Sequence, residues 1–146
     1  MTQEEFIKVL NKEKYSYKIE GDKIIVTSKG YVYLQSLTSL PPGVTFKNKG
    51  GVNLGSLTSI SPGVEFRNKG HVSLDALTSL PPGVEFKNGG YVGLDSLTSL
   101  PPGVVFKNEG DVYLGLVWFE DWKGNIEGIS SNRLLNVMIK QRVFER

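Results

Sequence analysis

Apolar and polar residues alternate in short runs along most of the chain, and the same arrangement returns every 20 residues. Four units, at 31–50, 51–70, 71–90 and 91–110, share the pattern x-V-x-L-x-x-L-T-S-[LI]-x-P-G-V-x-F-[KR]-N-x-G. The period of two predicts two short strands per unit, x-V-x-L-x and V-x-F-x, because successive strand residues point to opposite faces. A fixed repeat of this length indicates units that bury their apolar faces against their neighbours. The sequence therefore predicts an all-β fold, a β-solenoid of about four and a half 20-residue coils.

Stacking in register turns each repeated position into a column. The predicted interior columns begin at six apolar positions and continue through their equivalents in later units: Val32, Leu34, Leu37, Leu40, Val44 and Phe46. Proline and glycine fit the corners between strands, since proline lacks a backbone donor and glycine tolerates positive φ. We expect an amide ladder at one corner, formed by Asn48, Asn68, Asn88 and Asn108. A second polar line, of threonine and serine, is expected at the other corner.

The N-terminal residues predict a cap. Thr2 and Glu5 form a capping-box pattern, which indicates a short helix. Residues 15–20 and 23–28 alternate around Gly21 and Asp22 and predict a hairpin. Residues 23–30 also match the second half of the repeat, with Ile24 at the position of Val44. The stack is therefore expected to begin with half a coil.

The C-terminal residues predict a second cap. A fifth unit begins at Asp111 and departs from the pattern after Leu114, while Ser131 and Asn132 offer N-caps for a helix through about Arg142. A helix across each end would cover the exposed core and the unpaired strand edge. We expect an N-terminal cap at 1–29 with the first half-coil, the repeat solenoid at 30–114, and a C-terminal cap with a helix at 115–146.

Composition narrows the function classes. Lysine and arginine number 17 against 15 acids, so the basic surplus typical of a dedicated nucleic-acid binder is missing. The chain has no cysteine, which excludes disulfides, thiolate metal sites and a cysteine nucleophile. We expect a cytoplasmic protein, in the host cell if a phage encodes it, because the first residues lack signal-peptide features and no apolar run approaches membrane-helix length.

Residues suited to catalysis are sparse. His71 is the sole histidine and stands at a repeat position where Tyr, Gly and Asp also occur, with no serine or acid placed beside it by a motif. Asp75 and Asp95 share an outward position in adjacent units, so their carboxylates are expected about 5 Å apart. Such a pair suits cation binding or acid–base chemistry, but a solvated pair is the favoured interpretation. We expect no enzyme activity, no cofactor and no metal.

Two outward faces remain as candidate binding surfaces. The second-strand face carries Thr45, Glu65, Glu85 and Val105 beside a basic column that would suit phosphate contacts: Lys47, Arg67, Lys87 and Lys107. The first-strand face varies between units and is rich in tyrosine, which gives large contact area with little entropy loss. Its candidate protein-binding residues are Tyr31, Tyr33, Asn53, His71, Tyr91 and Tyr113. The alternative is that these outward positions vary because nothing constrains them.

The phrase Leu-Thr-Ser-Leu-Pro-Pro-Gly-Val resembles short bacterial leucine-rich-repeat proteins, especially small repeat proteins encoded by phages and mobile elements. The resemblance covers residues 24–114 and a C-terminal segment that begins at Ile126. The asparagine follows the V-x-F strand instead of the L-x-L strand, which favours a straighter, two-sided solenoid over a curved horseshoe. The resemblance implies protein binding. In phages, small solenoids can inhibit host defence nucleases, including CRISPR effectors.

Three functional hypotheses follow. The first is a non-enzymatic protein-binding module, in a phage setting an anti-CRISPR-like inhibitor of a defence nuclease or ribonucleoprotein. The second is binding of nucleic acid or a ribonucleoprotein through the column that begins at Lys47. The third is a polysaccharide-acting solenoid enzyme, for which Asp75 and Asp95 are the only candidates. The first is favoured, because fold alone assigns no chemistry and the tyrosine-bearing face suits a protein partner.

Overall fold

The N-terminal residues form the predicted helix. The structure, a computed structural model, describes residues 1–98, 101 and 103–114. Helix α1 spans Gln3–Lys12. The Glu5 N–H donates to Thr2 Oγ1 at 3.1 Å, and the Thr2 N–H donates to Glu5 Oε1 at 3.0 Å. This reciprocal pair satisfies two amides at the start of the helix, and Phe6 and Leu10 are buried. The predicted helix and its capping box are confirmed.

Short strands make up the rest of the regular structure in the described residues. In chain order they are β1 (Tyr17–Glu20), β2 (Lys23–Val26), β3 (Val32–Tyr33), β4 (Val44–Phe46), β5 (Val52–Asn53), β6 (Glu65–Phe66), β7 (Val72–Ser73), β8 (Glu85–Phe86), β9 (Val92–Leu94), β10 (Val105–Phe106) and β11 (Val112–Leu114). They form a six-stranded sheet in the order β1-β2-β4-β6-β8-β10 and a five-stranded sheet in the order β11-β9-β7-β5-β3. Each coil therefore gives one strand to each sheet.

The register between coils is the 20-residue repeat itself. Val32 pairs with Val52, and Phe46 pairs with Phe66, in parallel ladders. Strand β2 pairs with β4 in the same way and aligns Ile24 with Val44, so the stack begins with half a coil, as predicted. The first pair, β1 with β2, is antiparallel and forms the expected hairpin. The predicted β-solenoid is confirmed, with two strands in each coil.

The core lies between the two sheets and is built from the predicted columns. Each described member of the six columns is buried; Leu100 falls outside the described residues. The phenylalanine rings stack along the axis, with centroids 5.5 Å apart for Phe46 and Phe66 and 5.3 Å apart for the next two pairs, and interplanar angles of 4° to 8°. Because the parallel strands pair in register, each repeated side chain lies directly above its equivalent in the preceding coil.

The asparagine ladder closes one corner. Nδ2 of Asn68 donates to the carbonyls of Gly50, Gly70 and His71 at 3.0, 3.2 and 3.0 Å, so one side chain connects two successive coils. The other three ladder residues repeat this pattern. In the described part of the chain, the buried Oδ1 atoms of Asn48, Asn68 and Asn88 have no hydrogen-bond partner. The ladder therefore works through its donors.

Glycine is required at both corners for different reasons. Gly83 has φ +81°, in the left-handed region that side chains rarely adopt. A Cβ on Gly70 would lie 2.5 Å from the Gly51 nitrogen, so a side chain there would force adjacent coils apart. The first glycine turns the chain after the proline corner, and the second permits close stacking at the asparagine corner.

Two side chains predicted to point outward are buried. Thr45 is 4% exposed and Val105 is 8% exposed, so the prediction of an open second-strand face was wrong at both positions. Thr45 pairs with Ile25 and Glu65 in the adjacent strands, and a small side chain between two larger neighbours loses contact with solvent. The predicted C-terminal cap at 115–146, including its helix, lies outside the described residues.

Candidate functional site

The first-strand face carries a continuous line of aromatic rings on the five-stranded sheet. We call it the aromatic ribbon, and it consists of Tyr33, Tyr31, His71, Tyr91 and Tyr113. Ring centroids of Tyr31 and Tyr33 are 4.2 Å apart, and those of Tyr31 and His71 are 5.0 Å apart. His71 and Tyr91 stack at 4.7 Å with a 6° interplanar angle, and Tyr91 meets Tyr113 edge to face at 5.7 Å. Five of the six predicted binding residues therefore form one surface.

The ribbon is continuous because one coil lacks a side chain at this position. Tyr31 and His71 are two coils apart, and Gly51 stands between them. A Cβ on Gly51 would lie 2.4 Å from His71 Cε1, so the imidazole occupies the space that the glycine leaves open. There the Tyr31 hydroxyl and His71 Nε2 are 2.7 Å apart and share a hydrogen bond. Gly51 is thus a positioning residue for the ribbon.

Part of the ribbon stays accessible although the rings contact one another. Stacking covers the facing sides of Tyr31 and Tyr33 and of His71 and Tyr91. Tyr33 is 57% exposed and Tyr91 is 40% exposed. The ring edge carries the positive end of the aromatic quadrupole. The ribbon is therefore suited to hydrogen bonds through its polar atoms and to edge contacts with carbonyl oxygens.

Burial shifts the pKa values of three groups in the ribbon. Burial lowers the pKa of His71 below its ordinary value, which keeps the imidazole neutral. Burial, together with Tyr33 and Tyr91, raises the pKa of the Tyr31 phenol. Burial also raises the pKa of the Tyr91 phenol, with smaller contributions from Asp75, Tyr113 and Asp95. Each of these three shifts favours the neutral form of its group, which can act as a hydrogen-bonding partner.

Asn53, the sixth predicted binding residue, lies next to the ribbon without stacking in it. It pairs with Tyr33 on one side and with Ser73 on the other. Its Oδ1 accepts a hydrogen bond from the Gly55 N–H at 2.9 Å. This bond fixes the amide at the turn that follows β5, where its side chain is half-buried. Asn53 therefore adds a positioned polar group beside the rings.

Tyr15 fixes one end of the ribbon, and sequence reasoning missed it. The Tyr15 hydroxyl accepts from the Tyr33 N–H at 2.8 Å and lies 3.3 Å from the Tyr33 carbonyl oxygen, to which it donates. Strand β3 is the terminal strand of its sheet, so this hydroxyl takes the place of a neighbouring strand. No periodicity signals this contact, because Tyr15 lies outside the repeat.

Charge changes sign along this face. Beside the ribbon, the position before the closing glycine of each unit carries lysine in the N-terminal coils and then glycine and glutamate: Lys29, Lys49, Lys69, Gly89 and Glu109. Backbone hydrogen bonds between successive coils stack these positions. Asp75, Asp95 and Asp111 add acids near the C-terminal coils. This charge gradient is visible in the repeat itself, but sequence reasoning did not identify it.

On the second-strand face, two of the four predicted basic residues are in ion pairs. Arg67 Nε is 2.8 Å from Glu65 Oε2, and Lys87 Nζ is 3.4 Å from Glu85 Oε2. Lys47 and Lys107 stand in the same column and are exposed. The acids next to the column offset its charge, which weakens its attraction for phosphate.

Asp75 and Asp95 both follow a strand of the five-stranded sheet and are exposed. Ser73 Oγ donates to Asp75 Oδ2 at 3.1 Å, and Asp75 Oδ1 lies 2.8 Å from where a Cβ on Gly93 would be.

Within 1–98, 101 and 103–114, no cluster of three or more His, Asp or Glu residues is suited to hold a metal ion. In the same ranges, none of the helical structure has the length and apolarity needed to cross a bilayer.

Comparison with protein-family models, with curated proteins and with solved structures finds no match for this chain. The functional argument therefore depends on the geometry and chemistry of the two faces.

Proposed function

We propose that this chain is a non-enzymatic protein-binding module whose partner docks on the aromatic ribbon. The mutual stacking of accessible rings is the observation that carries this proposal: the His71 and Tyr91 rings are nearly parallel with centroids 4.7 Å apart, although Tyr91 is 40% exposed. Rings held by one another have lost much of their rotamer freedom before a partner arrives. Binding then costs less conformational entropy, which is the advantage of a preorganised surface.

The charge pattern supports a protein partner over a nucleic acid. The lysines of the N-terminal coils attract anions, whereas Asp75, Asp95, Glu109 and Asp111 repel a continuous polyanion at the other end. Bases also bind by stacking on free ring faces, and His71 and Tyr91 already cover one face of each other. A protein surface can match both signs of charge and also hydrogen bond to the phenols.

The resemblance of the repeat to small proteins of phages and mobile elements extends the proposal to a partner class. In that setting, the partner is a bacterial defence nuclease complex, and binding inhibits it in the host cytoplasm, as an anti-CRISPR protein does. A rigid solenoid suits this role, since occupation of a functional surface is enough to inhibit and no catalytic group is needed.

Affinity capture from a bacterial lysate tests the proposal. The bait variant changes Tyr31, Tyr33, Tyr91 and Tyr113 to alanine together, and the control bait changes Lys47 and Lys107 to alanine on the opposite face. We expect the wild type and the control to retain a partner that the tyrosine variant loses. Thermal melts of all three baits must show folded protein. Capture that survives the tyrosine changes would contradict the proposal.

Nucleic-acid binding through the basic column predicts a different result. Affinity for RNA or DNA would then fall steeply with salt and would drop when Lys47, Arg67, Lys87 and Lys107 become glutamine. The ion pairs of Arg67 and Lys87 count against this alternative. A mobility-shift titration at low salt distinguishes the two hypotheses.

A further inference from the structure

Strand β1 ends the six-stranded sheet, opposite β10 in the strand order. Among the described strands, its only neighbour is β2, and this pair is the one antiparallel pair in the ladders described. The edge of β1 that faces away from β2 is therefore a row of backbone groups with no strand beside it. Such an edge is a template for another strand.

The backbone direction of β1 identifies the groups on this edge. The Thr27 N–H donates to the Ser16 carbonyl at 2.8 Å, so Ser16 and alternate residues after it point their backbone groups toward β2. The N–H and C=O groups of Tyr17 and Ile19 then point to the open edge. In the antiparallel register, Tyr17 and Ile19 stand opposite Val26 and Ile24, at the non-hydrogen-bonded positions of the β1–β2 ladder.

The side chains of β1 are open to solvent as well. Ile19 is 57% exposed, which makes it one of the most exposed large apolar residues described. Lys18 and Glu20 have side chains that are 56% and 58% exposed and form an ion pair with Nζ and Oε1 3.0 Å apart. The strand with one open edge thus carries an apolar side chain between two opposite charges, and all three side chains are accessible to a second strand.

We propose that β1 pairs with β1 of a second copy of this chain, antiparallel, about a two-fold axis at Ile19. The inference is independent of the aromatic ribbon, which lies on the other sheet. In this pairing, the Ile19 N–H and C=O groups of the two copies exchange both hydrogen bonds. Lys18 of each copy then faces Glu20 of the other, and the two Ile19 side chains meet.

The charges select this register from the few that the backbone allows. Pairing centred on Lys18 would place the two Lys18 ammonium groups opposite each other, which is unfavourable. Pairing centred on Tyr17 would place Lys18 opposite Ser16 and leave Glu20 beyond the pair. Only the register centred on Ile19 places Lys18 of one copy opposite Glu20 of the other, and the two-fold axis forms this contact twice. Charges usually discourage pairing at an edge strand, but here their order makes the strand complementary to itself.

The paired surface is small, so the dimer is expected to be weak and transient. Interfaces well below about 1,000 Å² give such complexes, and protein concentrations up to about 1 mM are needed to populate them. We therefore test the proposal by sedimentation of the full chain over a wide concentration range. The expected wild-type result is an average mass that rises with concentration from one chain toward two.

Charge reversal separates this edge from every other surface. In Lys18→Glu, two carboxylates face each other twice, and in Glu20→Lys two ammonium groups do so. Each variant alone is expected to associate about tenfold more weakly than the wild type, because attractive pairs become repulsive. An equal mixture of the two variants restores opposite charges at every contact and is expected to regain association within about threefold of the wild type. Thermal melts confirm that both variants fold.

Three results would overturn the proposal. The wild-type mass could stay at one chain up to the highest concentration. The single reversals could leave association unchanged. The mixture could also fail to restore association. Either of these two results would mean that the copies meet through another surface or in another register. Loss of association in the fourfold tyrosine variant, with the Lys18 and Glu20 variants unaffected, would assign self-association to the aromatic ribbon.

Discussion

The solenoid carries two aromatic stacks along its axis, one inside and one outside, and they are built in different ways. The inner stack repeats a single residue type, Phe46, Phe66, Phe86 and Phe106, at spacings of 5.3 to 5.5 Å. The outer stack is the aromatic ribbon, whose members differ from coil to coil and whose contacts range from 4.2 to 5.7 Å. The same parallel register thus produces a uniform core and an irregular surface.

The difference separates a stack that stabilises the fold from one that we propose serves recognition. A buried ring has no alternative position, so identical residues must stack identically. An exposed ring can turn away, and Tyr31 reaches His71 only because Gly51 leaves the intervening coil open. We therefore expect changes in the inner stack to unfold the chain, and changes in the outer stack to alter binding with little effect on folding.

The largest expected effect is in the inner stack. Phe86→Ala removes a fully buried ring packed between Phe66 and Phe106, and it should lower the free energy of unfolding by about 3–5 kcal/mol. Lys87→Ala, one residue away on the outer side, should cost under about 0.5 kcal/mol. Thermal and denaturant melts of both variants provide the measurement. Equal stabilities would mean that the inner and outer assignments are wrong.

Gly51→Ala tests whether the outer stack can be altered with little effect on folding. The new Cβ takes the space of the His71 ring, so the imidazole must rotate away from Tyr31 and their hydrogen bond is lost. The free energy of unfolding should fall by less than about 1 kcal/mol, because that lost bond is partly offset by reduced entropy of the unfolded chain.

Imidazole resonances in NMR spectra would report the ring movement. Gly55→Ala is the matched control, since its Cβ would approach Asn53 Oδ1 at 3.1 Å and no ring. A His71 spectrum that does not change in Gly51→Ala would contradict the proposed role of the glycine.

The smallest expected effect is a dependence of stability on pH. The pKa of His71 is lowered by burial in the folded chain, so the unfolded chain binds a proton first as the pH falls. The contribution of neutral His71 to the free energy of unfolding is therefore complete above the ordinary histidine pKa. It decreases as the pH falls from the ordinary pKa toward the lowered pKa of the folded chain. His71 is the chain's sole histidine, so His71→Gln should flatten the stability profile between about pH 7.5 and about pH 5.5. An identical slope in the variant would show that the imidazole is not shielded.

The sequence was sufficient to predict the columns and their register. Val32 over Val52 and Phe46 over Phe66 follow from a fixed repeat and an alternation of two, because parallel strands stack equivalent residues. The half-coil at Ile24 followed from the same alignment. The face that holds the ribbon could also be named, since outward positions with tyrosine are visible in the repeat.

Contacts that depend on the direction of individual side chains could not be predicted in this way. The hydrogen bond between Tyr31 and His71 crosses two coils and requires both the gap at Gly51 and a particular ring orientation. The Tyr15 hydroxyl reaches Tyr33 from outside the repeat. Thr45 was assigned to the surface from alternation alone, but its exposure depends on the size of the residues that flank it.

The most direct test is the affinity of the captured partner for a chain in which Tyr31, Tyr33, Tyr91 and Tyr113 are changed together to phenylalanine. This change keeps the rings and removes the phenol hydroxyl groups, including the one that Tyr31 shares with His71 Nε2. We predict at least a tenfold loss of affinity by calorimetric titration, since each hydrogen bond contributes about 0.5–1.5 kcal/mol, with a melting temperature close to that of the wild type. Unchanged affinity in a folded variant would contradict recognition through the hydroxyl groups of the ribbon.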